Sequence, residues 1–356
     1  MMPDMRRRRA LAAMAGTPLL LLVAACDSSR NGAPNAKDGK TPFNLGIVSS
    51  VGQSTAIIAD KKGFFEKNGL RARVFYFGSG ADVITGYLSG GLDAIDVGTL
   101  SAYLLWSRKQ LPEPILVYNS AQIQGVVVRT AANIKSHKDL VGKKVAVPLG
   151  SIDVLSLQLT LKEHGVDPAS VQLVNMQNPD MLSALSQGVV DAAATFEPTL
   201  SRIVKELGAQ VQVLTRYDGK DEDARSCPSC RLFPARVMTF VSPQWADEHP
   251  EAVKSIVLSF WQAGKWIHDN PADAARTIAE TLKFKESEVA EGLKYIGWNN
   301  PLLTPQIIDQ MKLEIEYLNG KGEGPGSLDI NPLFERGMRI QDQLKQQYGN
   351  LLPPSG

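Results

Sequence analysis

The sequence predicts an α/β protein built from two lobes, each with a mostly parallel sheet. Strand-like segments alternate with short helices from about residue 43 to 241, and such alternation is typical of parallel sheets. A second series of the same kind follows the first, beginning near Arg129. The chain has 356 residues, more than one hydrophobic core usually serves, so two lobes are expected.

The first series contains short apolar strands that are separated by helices and by glycine-rich breaks. The strands are predicted at 43–49, 71–77, 93–97, 115–119 and 125–128, and the helices at 55–62, 81–88 and 100–108.

The second series repeats this order. The strands are predicted at 144–147, 171–175, 192–195 and 211–214, and the helices at 152–164, 179–187 and 197–206. A final strand is predicted at 236–241, after a polar loop that contains a pair of cysteines.

Beyond residue 241 the pattern becomes helical only. Several of these segments have proline just inside the start, which helix N-termini tolerate because the first amides have no intrahelical partner. The helices are predicted at 250–269, 271–282, 286–295, 305–318 and 331–346.

The N-terminus is predicted to be an export signal over residues 1–25. Arg6–Arg9 precede an apolar run that is too short to span a bilayer and is interrupted by Pro18. Small residues then lead to Cys26, a pattern that resembles a bacterial lipobox and predicts lipidation of Cys26. An ordinary soluble export signal is the alternative. Residues 26–41 are polar and predict a flexible tether.

Charge and cysteine content narrow the function classes. The chain has 38 basic and 37 acidic residues, and removal of residues 1–25 changes the net charge from +1 to −2. This balance predicts no nucleic-acid partner. Cys227 and Cys230 predict a small disulfide; a redox pair lacks a strand-to-helix context, and a zinc site lacks two further ligands. No metal or cofactor is predicted.

The predicted ligand site lies where strands lead into helices. In an open parallel sheet, ligands bind beyond the carboxyl ends of the strands, where helices present free N–H groups that suit an oxyanion. Four such junctions are rich in Gly, Ser and Thr, although each alone could be a simple helix cap. The candidate ligand-binding residues are Ser50, Gln53, Ser79, Gly80, Thr99, Ser101, Asn119, Gly150, Ser151, Asp153 and Glu197.

Two acids among these candidates allow two interpretations. Asp153 and Glu197 could simply face helix N-termini, where a carboxylate is favourable by about 0.3–1 kcal/mol. Alternatively, they could receive the cationic end of a zwitterionic or amine-bearing ligand. Arg129, Arg231 and Arg236 could supply the opposite charge, and Phe196, Tyr103 and Trp298 could stack on a flat ligand.

Four motifs, in order, resemble the periplasmic substrate-binding proteins for sulfonate, nitrate, taurine and thiamine precursors. In the second motif one spacer residue of the family pattern is missing. The motifs are GFFEKNGL at 63–70, LSGGLD at 88–93, IKSHKDLVGKKVAV at 134–147, and GVVDA followed by FEP within 185–198.

The resemblance implies a type II periplasmic-binding-protein fold, in which two lobes joined by two crossing segments close on a ligand. It implies a first lobe at 42–128 that is resumed at 238–350, and a second lobe at 129–237. It also implies a monomeric partner of an ABC permease and ATPase, on the periplasmic face of the membrane, that carries a small solute.

The resemblance leaves the ligand open. A sulfonate or taurine-like solute is favoured, and a pyrimidine precursor or a flavin is the alternative. An intracellular branch of the family makes a pyrimidine precursor, but its cysteine-dense motif is absent from this sequence, so we expect no enzyme. A sensory module that feeds a membrane receptor would use the same lobes.

Overall fold

The computed structural model describes residues 39–119, 124–149, 151–216, 236–294 and 301–352. The predicted signal segment, Cys26, Gly150 and the Cys227–Cys230 pair lie outside these ranges. Within them, no helix is both long and apolar enough to cross a bilayer.

The first sheet has five strands in the order β2-β1-β3-β10-β4. β1 runs parallel to β2 and β3, whereas β10, from far along the chain, is antiparallel to both β3 and β4. Central strands of this kind are covered on both faces, and the side chains of β10 are buried throughout. The strands are β1 Thr41–Val48, β2 Leu70–Phe77, β3 Ala94–Gly98, β4 Glu113–Asn119 and β10 Arg236–Val241.

The second sheet repeats this plan with the order β7-β6-β8-β5-β9. β6 is parallel to β7 and β8, and β5 is antiparallel to β8 and β9. The strands are β5 Gln124–Arg129, β6 Lys144–Val147, β7 Gln172–Asn175, β8 Ala192–Phe196 and β9 Val211–Arg216. The predicted two-lobed α/β class is therefore what the structure shows.

Helices cover both sheets and bury apolar cores on each, and one core of the first lobe also includes Leu155 and Leu159 of the second. Those of the first lobe are α1 Ser54–Lys61, α2 Phe64–Lys67, α3 Gly80–Leu88, α4 Thr99–Ser107, α8 Pro243–Glu248, α9 Pro250–Asp269, α10 Pro271–Leu282, α11 Glu286–Leu293, α12 Pro305–Gly320 and α13 Asn331–Tyr348. Those of the second lobe are α5 Ile152–Glu163, α6 Asn178–Gln187 and α7 Thr199–Leu207.

The chain passes between the sheets at two places. β4 ends at Asn119 in the first sheet, and β5 begins at Gln124 in the second; β9 and β10 mark the return. The change of sheet therefore falls before the predicted lobe boundary at 128. The return strand begins at Arg236, as the strand prediction has it, two residues before the predicted return of the first lobe at 238. The cause is physical: a short apolar strand such as β5 has the same pattern whichever sheet it joins.

Candidate ligand-binding cleft

A cleft lies where the edges of the two sheets face each other. In the first sheet, Arg236 at the start of β10 pairs with Asn119 at the end of β4. In the second sheet, Gln124 at the start of β5 pairs with Phe196 at the end of β8. The lining residues are Val48, Ser50, Gln53, Gly80, Gly98, Leu100, Ser101, Gln124, Ser151, Asp153, Phe196, Arg236 and Val237.

Two helices begin at this cleft without a side-chain cap among the described residues. Their N-cap residues are Gly98 for α4 and Ser151 for α5, and both line the cleft. α1 instead continues a short 3-10 turn at Val51–Gln53, and Ser50 already caps the amides of that turn. The first amides of a helix have no intrahelical partner and carry partial positive charge. The cleft therefore receives free N–H groups from both lobes, which suits an anion.

The structure brings most of the predicted junctions together. Ser50, Gln53, Gly80, Ser101, Ser151 and Asp153 all line the cleft. The approach at Gly80 is close, because a Cβ there would lie 2.6 Å from Oγ of Ser101. Asn119 reaches this edge through its backbone pairing with Arg236, and its side chain lies outside the described part.

Two of the predicted hydroxyls do not line the cleft. The Oγ of Ser79 donates to the carboxylate of Asp82 at 2.8 Å and accepts from the Asp82 amide at 3.3 Å, which caps α3. The hydroxyl of Thr99 hydrogen-bonds to Tyr103 within α4. Both side chains are buried, and their hydroxyl groups are used in hydrogen bonds near their own helix starts.

Glu197 also acts within its own lobe. It is fully buried, and its carboxylate accepts from the amide of Ser201 at 3.1 Å and from the Ser201 hydroxyl at 2.9 Å. These bonds hold the first turn of α7, which is the simpler of the two interpretations of this acid.

Arg236 is the cationic side chain among the described lining residues. It is only 4% exposed and forms a buried ion pair with Glu314 of α12. Glu314 also accepts from the hydroxyl of Tyr103 at 2.5 Å, and burial raises the pKa of Glu314 to about 7. The pair occupies Nη2, whereas Nη1 is buried without a hydrogen-bond partner among the described residues. The guanidinium of this lining residue therefore has one donor nitrogen without a partner in the described part of the chain.

Asp153 lies opposite, in the first turn of α5, and is 3% exposed. Its carboxylate accepts from Nε2 of Gln124 at 2.9 Å and from Oγ of Ser151 at 3.3 Å, both neutral donors. Burial raises the pKa of Asp153 to about 7, despite these hydrogen bonds and the helix N-terminus.

Sequence reasoning missed Gln124, which orients Asp153 and accepts from Ser156 at 3.3 Å. The sequence marks Gln124 as a polar residue at the start of an apolar strand. Because the predicted lobe boundary lay at 128, this strand was assigned to the first lobe and Gln124 was not connected with Asp153. Arg236 was considered only as one of three arginines, because nothing in the sequence shows that Glu314 holds it.

Comparison with solved structures supports the fold. The alkanesulfonate-binding protein SsuA of Xanthomonas axonopodis pv. citri, bound to MOPS, aligns with a TM-score of 0.69 at 16% identity, covering 83% of this chain and 98% of that one. The aliphatic sulphonate binding protein SsuA of Escherichia coli aligns with a TM-score of 0.67 at 18% identity, covering 85% of this chain and 99% of that one. The desulfurization enzyme DSZB shares the fold too, with a TM-score of 0.64 at 14% identity, covering 85% of this chain and 99% of that one.

Sequence comparison agrees with the four motifs. The taurine-binding periplasmic protein of Escherichia coli is 26% identical over 266 residues, which are 74% of this chain and 79% of that protein. Residues 36–283 match the profile of the NMT1-like family, a span that includes every described residue lining the cleft. The resemblance stated from the motifs is confirmed, and the chain belongs to the NMT1-like family.

Proposed function

We propose that this chain is the substrate-binding component of an ABC importer and captures a small organic anion, with a sulfonate favoured, in the cleft between its lobes. The observation that carries the proposal is the convergence on one cleft of two uncapped helix N-termini, one from each lobe, and of Arg236, whose Nη1 has no partner among the described residues. Such a site offers several donors to one anionic group.

A sulfonate suits this donor set. Its single charge is shared by three oxygens, so it can accept hydrogen bonds from several directions at once. The related proteins that bind alkanesulfonates, aliphatic sulphonates and taurine support this choice of ligand class.

Delivery follows from the two-lobed plan. α1, α4 and Arg236 belong to the first lobe, and α5 belongs to the second, so a bound anion contacts both. A ligand that bonds to both lobes stabilises the closed form, which a permease can distinguish from the open one. We propose binding without chemical change, so ligand recovered from the protein should have an unchanged mass.

The proposal places the protein outside the cytoplasm as a lipid-anchored monomer held by Cys26, with Cys227 and Cys230 joined in a disulfide. The leader pattern of residues 1–26 supports the anchor. Replacement Cys26→Ser is expected to move the protein from the membrane fraction to the soluble one. Retention of the variant in membranes would rule out lipidation at this residue.

A thermal-shift screen of the purified chain tests the binding role. A ligand that binds only the folded form stabilises it, by about 2.7 kcal/mol at about 100 times its Kd. We expect alkanesulfonates to raise the Tm. A flat response to every sulfonate, with a shift from a pyrimidine or a flavin, would contradict the favoured ligand class.

The contribution of Arg236 to ligand affinity is tested with a double variant, because Arg236 and Glu314 form a buried ion pair. Arg236→Gln alone leaves Glu314 buried and unpaired, which costs about 3–5 kcal/mol. The double variant Arg236→Gln, Glu314→Gln avoids that charge and should lose sulfonate affinity by about tenfold or more. The unmodified protein keeps the guanidinium in its ion pair and is the control; equal affinity in the double variant and the unmodified protein would exclude Arg236.

A further inference from the structure

We propose that the cleft contains a second subsite, formed by Asp153 with Gln124 and Ser151, that binds a protonated amino group. The ligand class is then a small zwitterion, with its anionic end at Arg236 in the first lobe and its amine at Asp153 in the second. This inference rests on the proposed function and narrows its ligand.

The geometry around Asp153 carries the proposal. Asp153 is buried and lines the cleft, yet the hydrogen-bond partners of its carboxyl group in the described part of the chain are neutral donors, namely Gln124, Ser151 and its own backbone amide. Buried carboxylates are normally paired with a cation or neutralised, because burial strongly disfavours an unpaired charge. A cationic ligand group would supply the missing partner.

The cleft also contains acceptor groups in excess of what an anion needs. Oε1 of Gln53 is buried at the cleft without a partner among the described residues. An acceptor amide and a carboxylate call for hydrogen-bond donors, whereas Nη1 of Arg236 calls for an acceptor. A ligand with a donor at one end and an anion at the other satisfies both.

The simpler interpretation, that Asp153 only stabilises the start of α5, does not account for its environment. The helix start does contribute, through the backbone amide of Asp153, but burial outweighs this bond and those of Gln124 and Ser151 and raises the pKa of the carboxyl group. Glu197 shows the contrast, since its carboxylate accepts both bonds from Ser201 and does not line the cleft.

Calorimetric titration of the purified full chain with two matched pairs tests the subsite. Taurine is compared with propane-1-sulfonate, and β-alanine with butyrate; each pair differs by an ammonium in place of a methyl group. We expect the amine-bearing member of at least one pair to bind about ten- to a hundredfold tighter. The pair whose members bind shows whether the anionic end of the ligand is a sulfonate or a carboxylate.

The variant Asp153→Asn should remove this preference, so that the two members of each pair bind within about threefold of each other. Asp180→Asn is the control, because Asp180 is an exposed acid in the first turn of α6, away from the cleft. The two members of each pair are also compared in the unmodified protein. This comparison tests the subsite even if Asp153→Asn does not fold.

Two results would overturn the inference. If the amine-free member binds as tightly as its partner, or if Asp153→Asn weakens both alike, the amine subsite is wrong and the binding role stands. If none of the four compounds binds, the subsite and the proposed organic-anion function both fall.

Discussion

Individual polar residues at the cleft differ in whether their hydrogen bonds are already used. Ser79 and Glu197 bond to the helices that follow them, whereas Oε1 of Gln53 and Nη1 of Arg236 have no partner in the part of the chain that the structure describes. The sequence predicted which junctions meet, because the carboxyl ends of parallel strands share an edge. It did not predict the free atoms, since these depend on long-range partners such as Glu314.

Asp96 provides a test at this scale. It is fully buried on β3, accepts from the hydroxyl of Thr239 at 2.9 Å, and its Oδ2 has no partner among the described residues. Burial raises the pKa of Asp96 from 3.8 to about 7. Between these values the folded state holds a proton that the unfolded state has lost, so the free energy of unfolding falls as the pH rises.

The isosteric change Asp96→Asn removes this dependence. The stability of the variant relative to the unmodified protein should therefore increase from pH 4 to 7, by at most about 1.4 kcal/mol per pH unit. Urea unfolding at several pH values measures the difference. A difference that stays constant across this range would show that Asp96 does not titrate as described.

Among the elements, the C-terminal helices were the easiest to predict and the crossing strands the hardest. α9 and α10 begin and end at the predicted residues, because Pro250 and Pro271 mark their starts and long amphipathic patterns follow. The short helices α2 and α8 were not predicted, since one turn has no periodicity to recognise.

One helix of the first lobe reaches the second. At the start of α11, Nζ of Lys285 lies 2.8 Å from the carboxylate of Glu206 on α7, and Nζ of Lys205 donates to Ser287 at 2.8 Å. This bond raises the pKa of Lys285 and lowers the pKa of Glu206. α11 thus makes polar contacts between the lobes beside the cleft.

Charge reversal tests this contact between lobes. Lys285→Glu opposes Glu206 and should increase the radius of gyration of the ligand-free protein in small-angle scattering, whereas adding Glu206→Lys should restore it. Lys265→Glu is the control, because its ion pair with Asp269 stays within α9. An unchanged radius in Lys285→Glu would show that the pair does not hold the lobes.

The whole molecule combines a repeated plan with one asymmetric feature. Each lobe has, as the fourth of its five strands, one that is antiparallel to both neighbours and begins at the cleft, β10 in one and β5 in the other. The first lobe supplies the cation of Arg236, and the second supplies the carboxyl of Asp153. A solute that satisfies both must bridge the lobes, and bridging is what couples binding to closure.

The most direct test of the account is a crystal structure with the sulfonate that gives the largest thermal shift. We expect its oxygens within hydrogen-bonding distance of Nη1 of Arg236 and of amides at the starts of α4 and α5, so that both lobes contact one ligand. A sulfonate bound elsewhere, or touching only one lobe, would contradict the carrier role derived from this cleft.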